Sequence, residues 1–154
     1  MLRKEIERKI KPRDASKLKV GIVVSRYNDD ITSSMLAGAQ DVLRDWGVLA
    51  KNTHIAYTYG SFELPFAAQR LIKQYRLDAV VALGCIVKGE TSHDVFLAHV
   101  TNDGLMRVML DTGVPIGLGV LTTNNLAQAR VRSRGTTNHG TKAAVAALES
   151  ALLR

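Results

Sequence analysis

AVVALGCIVKGETSHD, residues 79 to 94, decides the fold. Ala79 to Leu83 is apolar at every position, so it reads as a strand covered on both faces, as in the interior of a parallel sheet. The run meets a glycine at Gly84. A second glycine, Gly89, is followed by Thr91, Ser92 and His93, and a long helical pattern then extends from about Asp94 to Leu110. A strand hands over to a helix through glycine, hydroxyls and an imidazole.

The same alternation repeats outward in both directions. Lys19 to Val24 reads as a short buried strand. The apolar residues Ile31, Met35, Ala39, Val42 and Trp46 follow at helical spacing, with Gly47 as the stop. Thr53 to Tyr57 is a second strand, and Leu64 to Tyr75 a second helix with Pro65 in its first turn. Downstream, Pro115 precedes a fourth strand, Ile116 to Leu121. Asn124 or Asn125 caps a short helix to about Arg132. The polar break SRGTTNHG leads to a last helix, Ala143 to Leu152.

Strands alternating with helices imply a parallel sheet with right-handed crossovers. Four or five strands in 154 residues make a small doubly wound sandwich rather than a barrel. Ligands of such folds sit beyond the carboxyl ends of the strands. Four segments leave the strands there: SRYND (25–29), YGSFE (59–63), GCIVKGETSHD (84–94) and LTTNN (121–125).

Composition narrows the function classes. The length fits one domain with a real core, and hydrophobic residues make up 46%. No apolar run reaches the roughly 18 residues of a membrane span, and MLRKEIERKIKPRD has no signal-peptide core. One cysteine, Cys85, allows no internal disulfide. These features lead to the expectation of a cytoplasmic protein. The formal charge is +7, but residues 1–17 carry seven Lys/Arg against three acids, and aromatics are only 5%. That places the surplus in a solvated, partly flexible arm and argues against a nucleic-acid surface.

On the rim, Gly89, Thr91 and Ser92 before a helix would direct N–H groups and the positive helix end at a phosphate-sized anion, without a Walker lysine pattern. Equally, Thr91 or Ser92 would be an ordinary helix cap. His93 beside that pocket suits general acid–base work on a phosphorylated substrate, or is a surface histidine. His93 and His99 do not share a helical turn and no cysteine pair assists, so no metal site is expected. In YGSFE, Gly60 and Ser61 bring backbone close to a ligand. Phe62 and Glu63 offer a ring and an acceptor for a flat heterocycle or polyol, or else Phe62 turns into the core. Tyr27 offers a stacking ring. Arg130, Arg132 and Arg134 alternate by two and cannot share one helical face, so one of them is the candidate phosphate clamp. Cys85 continues a buried run and reads as a small core residue.

Taken together, RYND with ITSSMLAGA, GSFELPFAA, LGCIVKGETSH, GVPIGLGVLTTNN with AQA, and the alanine-rich final helix resemble the lumazine synthase family from about Lys19 to Leu152. The resemblance implies an α/β, flavodoxin-like three-layer sandwich, with a four-stranded parallel sheet and helices on both faces. Residues 1–17 would form the basic arm and 18–154 a single domain. It implies condensation of 5-amino-6-(D-ribitylamino)uracil with 3,4-dihydroxy-2-butanone 4-phosphate to 6,7-dimethyl-8-ribityllumazine, phosphate and water. It implies no metal or organic cofactor, and a homo-oligomer of pentamers or multiples with the active site between subunits.

By position, Tyr27 matches the ring that stacks on the pyrimidinedione, and Ser61, Phe62 and Glu63 the ribityl loop. Cys85, Ile86 and Val87 match the strand end that reads the ring edge, and Glu90 and Thr91 the phosphate side. His93 matches the proton carrier, Leu118 the residue supplied by the neighbouring subunit, and Arg132 the phosphate-binding arginine. The chain departs from the family pattern at Tyr59 (usually proline), Leu118 and Asp94 (often aromatic), His139 (usually lysine) and the SRGTTNHG linker. These departures keep a second expectation in view, a relative that binds a lumazine or flavin as a ring or shell without making it. A phosphoacceptor signalling domain fits less well, because the third strand ends in LGC without an acceptor aspartate.

Overall fold

The structure, a computed structural model, describes residues 5–7 and 10–153. The core elements are β1 (Val20–Ser25), α1 (Asp29–Asp45), β2 (Thr53–Thr58), α2 (Leu64–Tyr75), β3 (Ala79–Val87), α3 (His93–Thr112), β4 (Ile116–Thr123), α4 (Leu126–Arg132) and α5 (His139–Ala151). The four strands are parallel, in the order β2-β1-β3-β4. This is the expected flavodoxin-like sandwich.

β3 explains why its sequence is apolar throughout. Successive side chains of a strand point to opposite faces, and here both faces are covered. Val81 and Leu83 pack with Ile31, Met35 and Ala39 of α1 and with Ala144 and Leu148 of α5. Val80 and Ala82 pack with Leu64, Ala68 and Ile72 of α2 and Leu105 of α3. Each such Val, Leu or Ile side chain removed from water contributes about 1.5–3 kcal/mol.

Two elements run longer than the sequence pattern predicts. β3 continues through Gly84 to Val87, four residues past the expected end. Gly84 lies inside the strand because a Cβ there would come within 2.6 Å of Ser61 Oγ. The glycine makes room for a neighbouring loop; it does not end the strand. α5 begins at His139, four residues before the expected start. The buried side chain of Asn138 accepts from the N–H groups of Gly140 (2.8 Å) and Thr141 (3.3 Å), which caps the helix inside the stretch read as a break. Gly140 is required for packing, since a Cβ there would lie 2.0 Å from Met35 O on α1.

The expected basic arm over residues 1–17 lies partly outside the described residues. Among those described, Glu7 pairs with Lys142 at 3.0 Å and Arg13 with Glu149 at 3.6 Å. Ala15 is buried and donates its N–H to Trp46 O at 2.8 Å. Among the described residues no helix is long and apolar enough to cross a membrane.

The strand ends form a step. β1 pairs with β3 only as far as Val24 opposite Leu83, whereas β3 and β4 stay paired out to Val87 opposite Thr123. The tip Cys85–Val87 therefore stands above the end of β1. The chain leaves β1 for one face of the sheet and β3 for the other, the kind of crevice in which such folds hold ligands.

Candidate active site

A cleft of about 640 Å³ opens at this step. Its floor is Cys85, Ile86 and Val87. Tyr27 and Asn28 come from the turn after β1, Tyr59, Ser61 and Phe62 from the loop after β2, and Thr91, His93 and Asp94 from the loop and first turn after β3. Three separate connections thus meet around one strand tip.

The turn after β1 is set by Asn28, which adopts a left-handed conformation at φ 57°. Asparagine tolerates this region better than most residues. Its side-chain amide donates to Cys85 O at 3.1 Å, binding the turn to the floor of the cleft. Asp29 and Asp30 then occupy the first turn of α1, where the helix dipole favours negative charge. Burial pushes the Cys85 thiol up to about 11, and the charge of Asp30 adds to the shift.

The loop after β2 is braced internally. Gly60 N–H donates to Glu63 Oε2 at 2.8 Å, and Thr58 Oγ1 donates to Gly60 O at 2.7 Å. Ser61 is buried against Gly84, and its carbonyl accepts from Thr101 Oγ1 at 3.4 Å. Phe62 is 62% exposed, so it faces the cleft instead of entering the core. Tyr59 meets Tyr27 edge-to-face, with ring centroids 5.5 Å apart and planes at 80°. A hydrogen bond with Tyr27 holds the Tyr59 phenol above its ordinary range, and nearby charge on Tyr27 adds to this.

At the start of α3, Ser92 is the cap residue but makes no side-chain capping bond. Thr91 Oγ1 instead accepts from His93 N–H at 3.3 Å. His93 is exposed on the cleft wall. Asp94 Oδ1 is buried without a hydrogen-bond partner among the described residues.

Of the residues singled out from sequence, Tyr27, Ser61, Phe62, Cys85, Ile86, Val87, Thr91 and His93 line this cleft. Four do not. Glu63 is turned back onto Gly60 N–H. Glu90 is exposed on the loop beside the cleft. Leu118 lies in mid-β4 opposite Ala82, 52% exposed. Arg132 ends α4, where its Nη1 donates to Gln128 O at 3.1 Å. Of the other two arginines, Arg130 pairs with Asp30 at 3.5 Å, and Arg134 is exposed beyond the helix. His54 stands at the start of β2, stacked on Tyr75 at 3.8 Å.

Asn28 and Leu97 also line the cleft and escaped the sequence reading. Leu97 carries a usable signal, since it lies four residues after His93 and so shares its helix face. Asn28 carries less, because its role depends on the left-handed turn. Among the described residues no group of three or more His, Cys, Asp or Glu side chains is placed to hold a metal.

The cleft offers a ring platform, a strand end rich in backbone donors and acceptors, a helix N-terminus and an imidazole. That set suits a flat polar heterocycle reacting with a small anionic partner. The family model described as 6,7-dimethyl-8-ribityllumazine synthase matches residues 17–154.

Proposed function

The chain belongs to the 6,7-dimethyl-8-ribityllumazine synthase family, and on that premise we propose that it condenses 5-amino-6-(D-ribitylamino)uracil with 3,4-dihydroxy-2-butanone 4-phosphate. The products are 6,7-dimethyl-8-ribityllumazine, phosphate and water, in the penultimate step of riboflavin biosynthesis. The observation that carries this reading is the meeting of Tyr27, the Cys85–Val87 tip and His93 in one cleft. The setting is the cytoplasm, and the reaction invokes no metal or organic cofactor.

In this mechanism the pyrimidinedione lies against Tyr27, and backbone groups of Cys85, Ile86 and Val87 read its edge. The ribityl chain follows Ser61 and Phe62, with Glu63 bracing their loop. The phosphate sits toward Glu90 and Thr91 at the start of α3, where the helix dipole favours an anion. The 5-amino group attacks the ketone and water leaves, giving an imine. Phosphate is then eliminated, and attack of the ribityl-bearing nitrogen on the remaining carbonyl closes the ring with loss of a second water. His93 moves the protons. Much of the acceleration comes from holding two reactants in register.

A second copy of the chain completes the site. Leu118 and Arg132 do not line the cleft of their own chain, and Phe66, Phe96, Leu110 and Leu118 expose large apolar surfaces. A homo-oligomer built from pentamers accounts for both, with Leu118 and Arg132 reaching a neighbour's cleft.

The test is to mix purified protein with both substrates at neutral pH and follow lumazine fluorescence above the uncatalysed background. Enzyme-dependent product is expected, with His93→Ala lowering kcat on the order of 10²-fold without abolishing it. A folded protein that binds the lumazine but forms none above background would replace this reading with a ring or shell that carries the ligand.

A further inference from the structure

Tyr59 is 73% exposed, so no core packing holds it. Its defined contact is with Tyr27, edge-to-face at 5.5 Å. The two rings come from different connections, Tyr27 from the turn after β1 and Tyr59 from the loop after β2. The loop passes close to the Tyr27 ring, since a Cβ on Gly60 would stand in ordinary contact with Tyr27 Cδ2 at 3.8 Å. The backbone beneath Tyr59 is fixed by the Gly60–Glu63 and Thr58–Gly60 hydrogen bonds. Arg26 N–H also donates to Thr58 O at 3.0 Å, which ties the two connections at their base.

An exposed tyrosine such as Tyr27 otherwise samples several rotamers, and a ligand that stacks on it must select one. An edge-to-face partner on a braced loop removes part of that freedom before the ligand arrives. Both rings line the cleft, so the pair forms an aromatic corner open toward the β3 tip.

We propose that Tyr59 is a positioning residue that presets the Tyr27 ring and thereby sets the affinity of the cleft for planar pyrimidinedione-type heterocycles, without acting on the phosphorylated partner. This inference rests on Tyr27 being the ring platform of the proposed synthase. The restraint is the aromatic edge of Tyr59 against the Tyr27 ring.

The experiment uses the full chain with Tyr59→Ala, Tyr59→Phe, Tyr27→Ala and the double variant Tyr27→Ala/Tyr59→Ala. KM is measured for each substrate separately, and the Kd of 6,7-dimethyl-8-ribityllumazine by fluorescence titration without turnover. Tyr59→Ala should raise the heterocycle KM and the lumazine Kd about two- to tenfold, the range of one aromatic pair. The butanone phosphate KM should not move. Tyr59→Phe should restore most of the affinity. The double variant should bind no more weakly than Tyr27→Ala, because Tyr59 acts through that ring.

An unchanged Kd for Tyr59→Ala, or additive losses in the double variant, would overturn the inference. If the wild type binds the lumazine but makes none, the catalytic reading fails and the titration still decides the role of Tyr59. If the wild type turns over and Tyr59→Ala matches it in both measurements, only this inference fails. A wild type that binds no lumazine overturns both.

Discussion

The side-chain amide of Asn28 donates to the backbone carbonyl of Cys85 across 3.1 Å, joining the turn after β1 to the tip of β3. Asn28 holds a left-handed backbone at φ 57° while it does so. One residue therefore serves two functions, and substitution can separate them. Asn28→Ala should lose about 1–3 kcal/mol, from an unfavourable backbone and a lost hydrogen bond. Asn28→Gly should recover the backbone part only. If the bond orients Tyr27, both variants should raise the heterocycle KM, while urea titration finds the glycine variant more stable than the alanine one. Equal stabilities would show that the turn carries no strain.

Two glycines let α5 approach its neighbours. A Cβ on Gly140 would sit 2.0 Å from Met35 O, and one on Gly117 would sit 1.9 Å from Ala143 O. Backbone cannot swing aside as a flexible side chain does. Gly140→Ala and Gly117→Ala should each destabilise the protein by about 2–4 kcal/mol. Gly89 has nothing within 4 Å of the corresponding position, so Gly89→Ala should unfold within about 0.5 kcal/mol of the wild type. Thermal melts of the three variants compare them directly.

The Cys85 thiol is raised from 9.0 to about 11 by burial and then by Asp30. A raised pKa means that the folded state holds the proton more tightly than the unfolded chain. The resulting stability is full below about pH 9 and is lost as pH rises to about 11, a change of about 2–3 kcal/mol. Urea midpoints at pH 8 and 10.5 should converge between wild type and Cys85→Ala as this contribution disappears. Iodoacetamide at pH 8 should alkylate Cys85 only after unfolding. Rapid alkylation of the folded protein would contradict its burial.

Arg132 and Arg130 lie two residues apart and should behave differently. Arg130 forms a half-exposed pair with Asp30, a contact of small energetic weight. Arg132 is proposed to meet phosphate in a neighbour's cleft. Arg132→Ala should raise the KM of the butanone phosphate about 10- to 100-fold, the range of a lost charged hydrogen bond, with little change for the heterocycle. An unchanged value would pass the role to Arg134.

The sheet was legible because Ala79–Leu83 is apolar on both faces, which only a covered strand explains. Boundaries were harder to read wherever glycine serves packing. Gly84 resembles a strand stop but clears space for Ser61, and Gly140 resembles a break but clears space for α1. A chain pattern records which residues lack side chains and not what fills the space. Rim residues were found by their chemistry, as with Tyr27, Phe62 and His93. Asn28 enters the cleft through a left-handed turn, and no periodicity encodes that. Leu118 came from resemblance alone, the resemblance chose Arg132 among three candidate arginines, and a single chain leaves both outside the cleft.

The strand order has a consequence for synthesis on the ribosome. β3 is the partner of both β1 and β4, yet it follows β1, α1, β2 and α2 along the chain. Until residue 83 has emerged, β1 has an open hydrogen-bonding edge and no complete companion on that side. A nascent β1–β2 pair exposes Ile22, Val23 and Val24, a short apolar stretch suited to wrong pairing. Folding of the first half therefore waits on the central strand. Chaperone contact with the growing chain should be concentrated between the appearance of Val24 and that of Leu83.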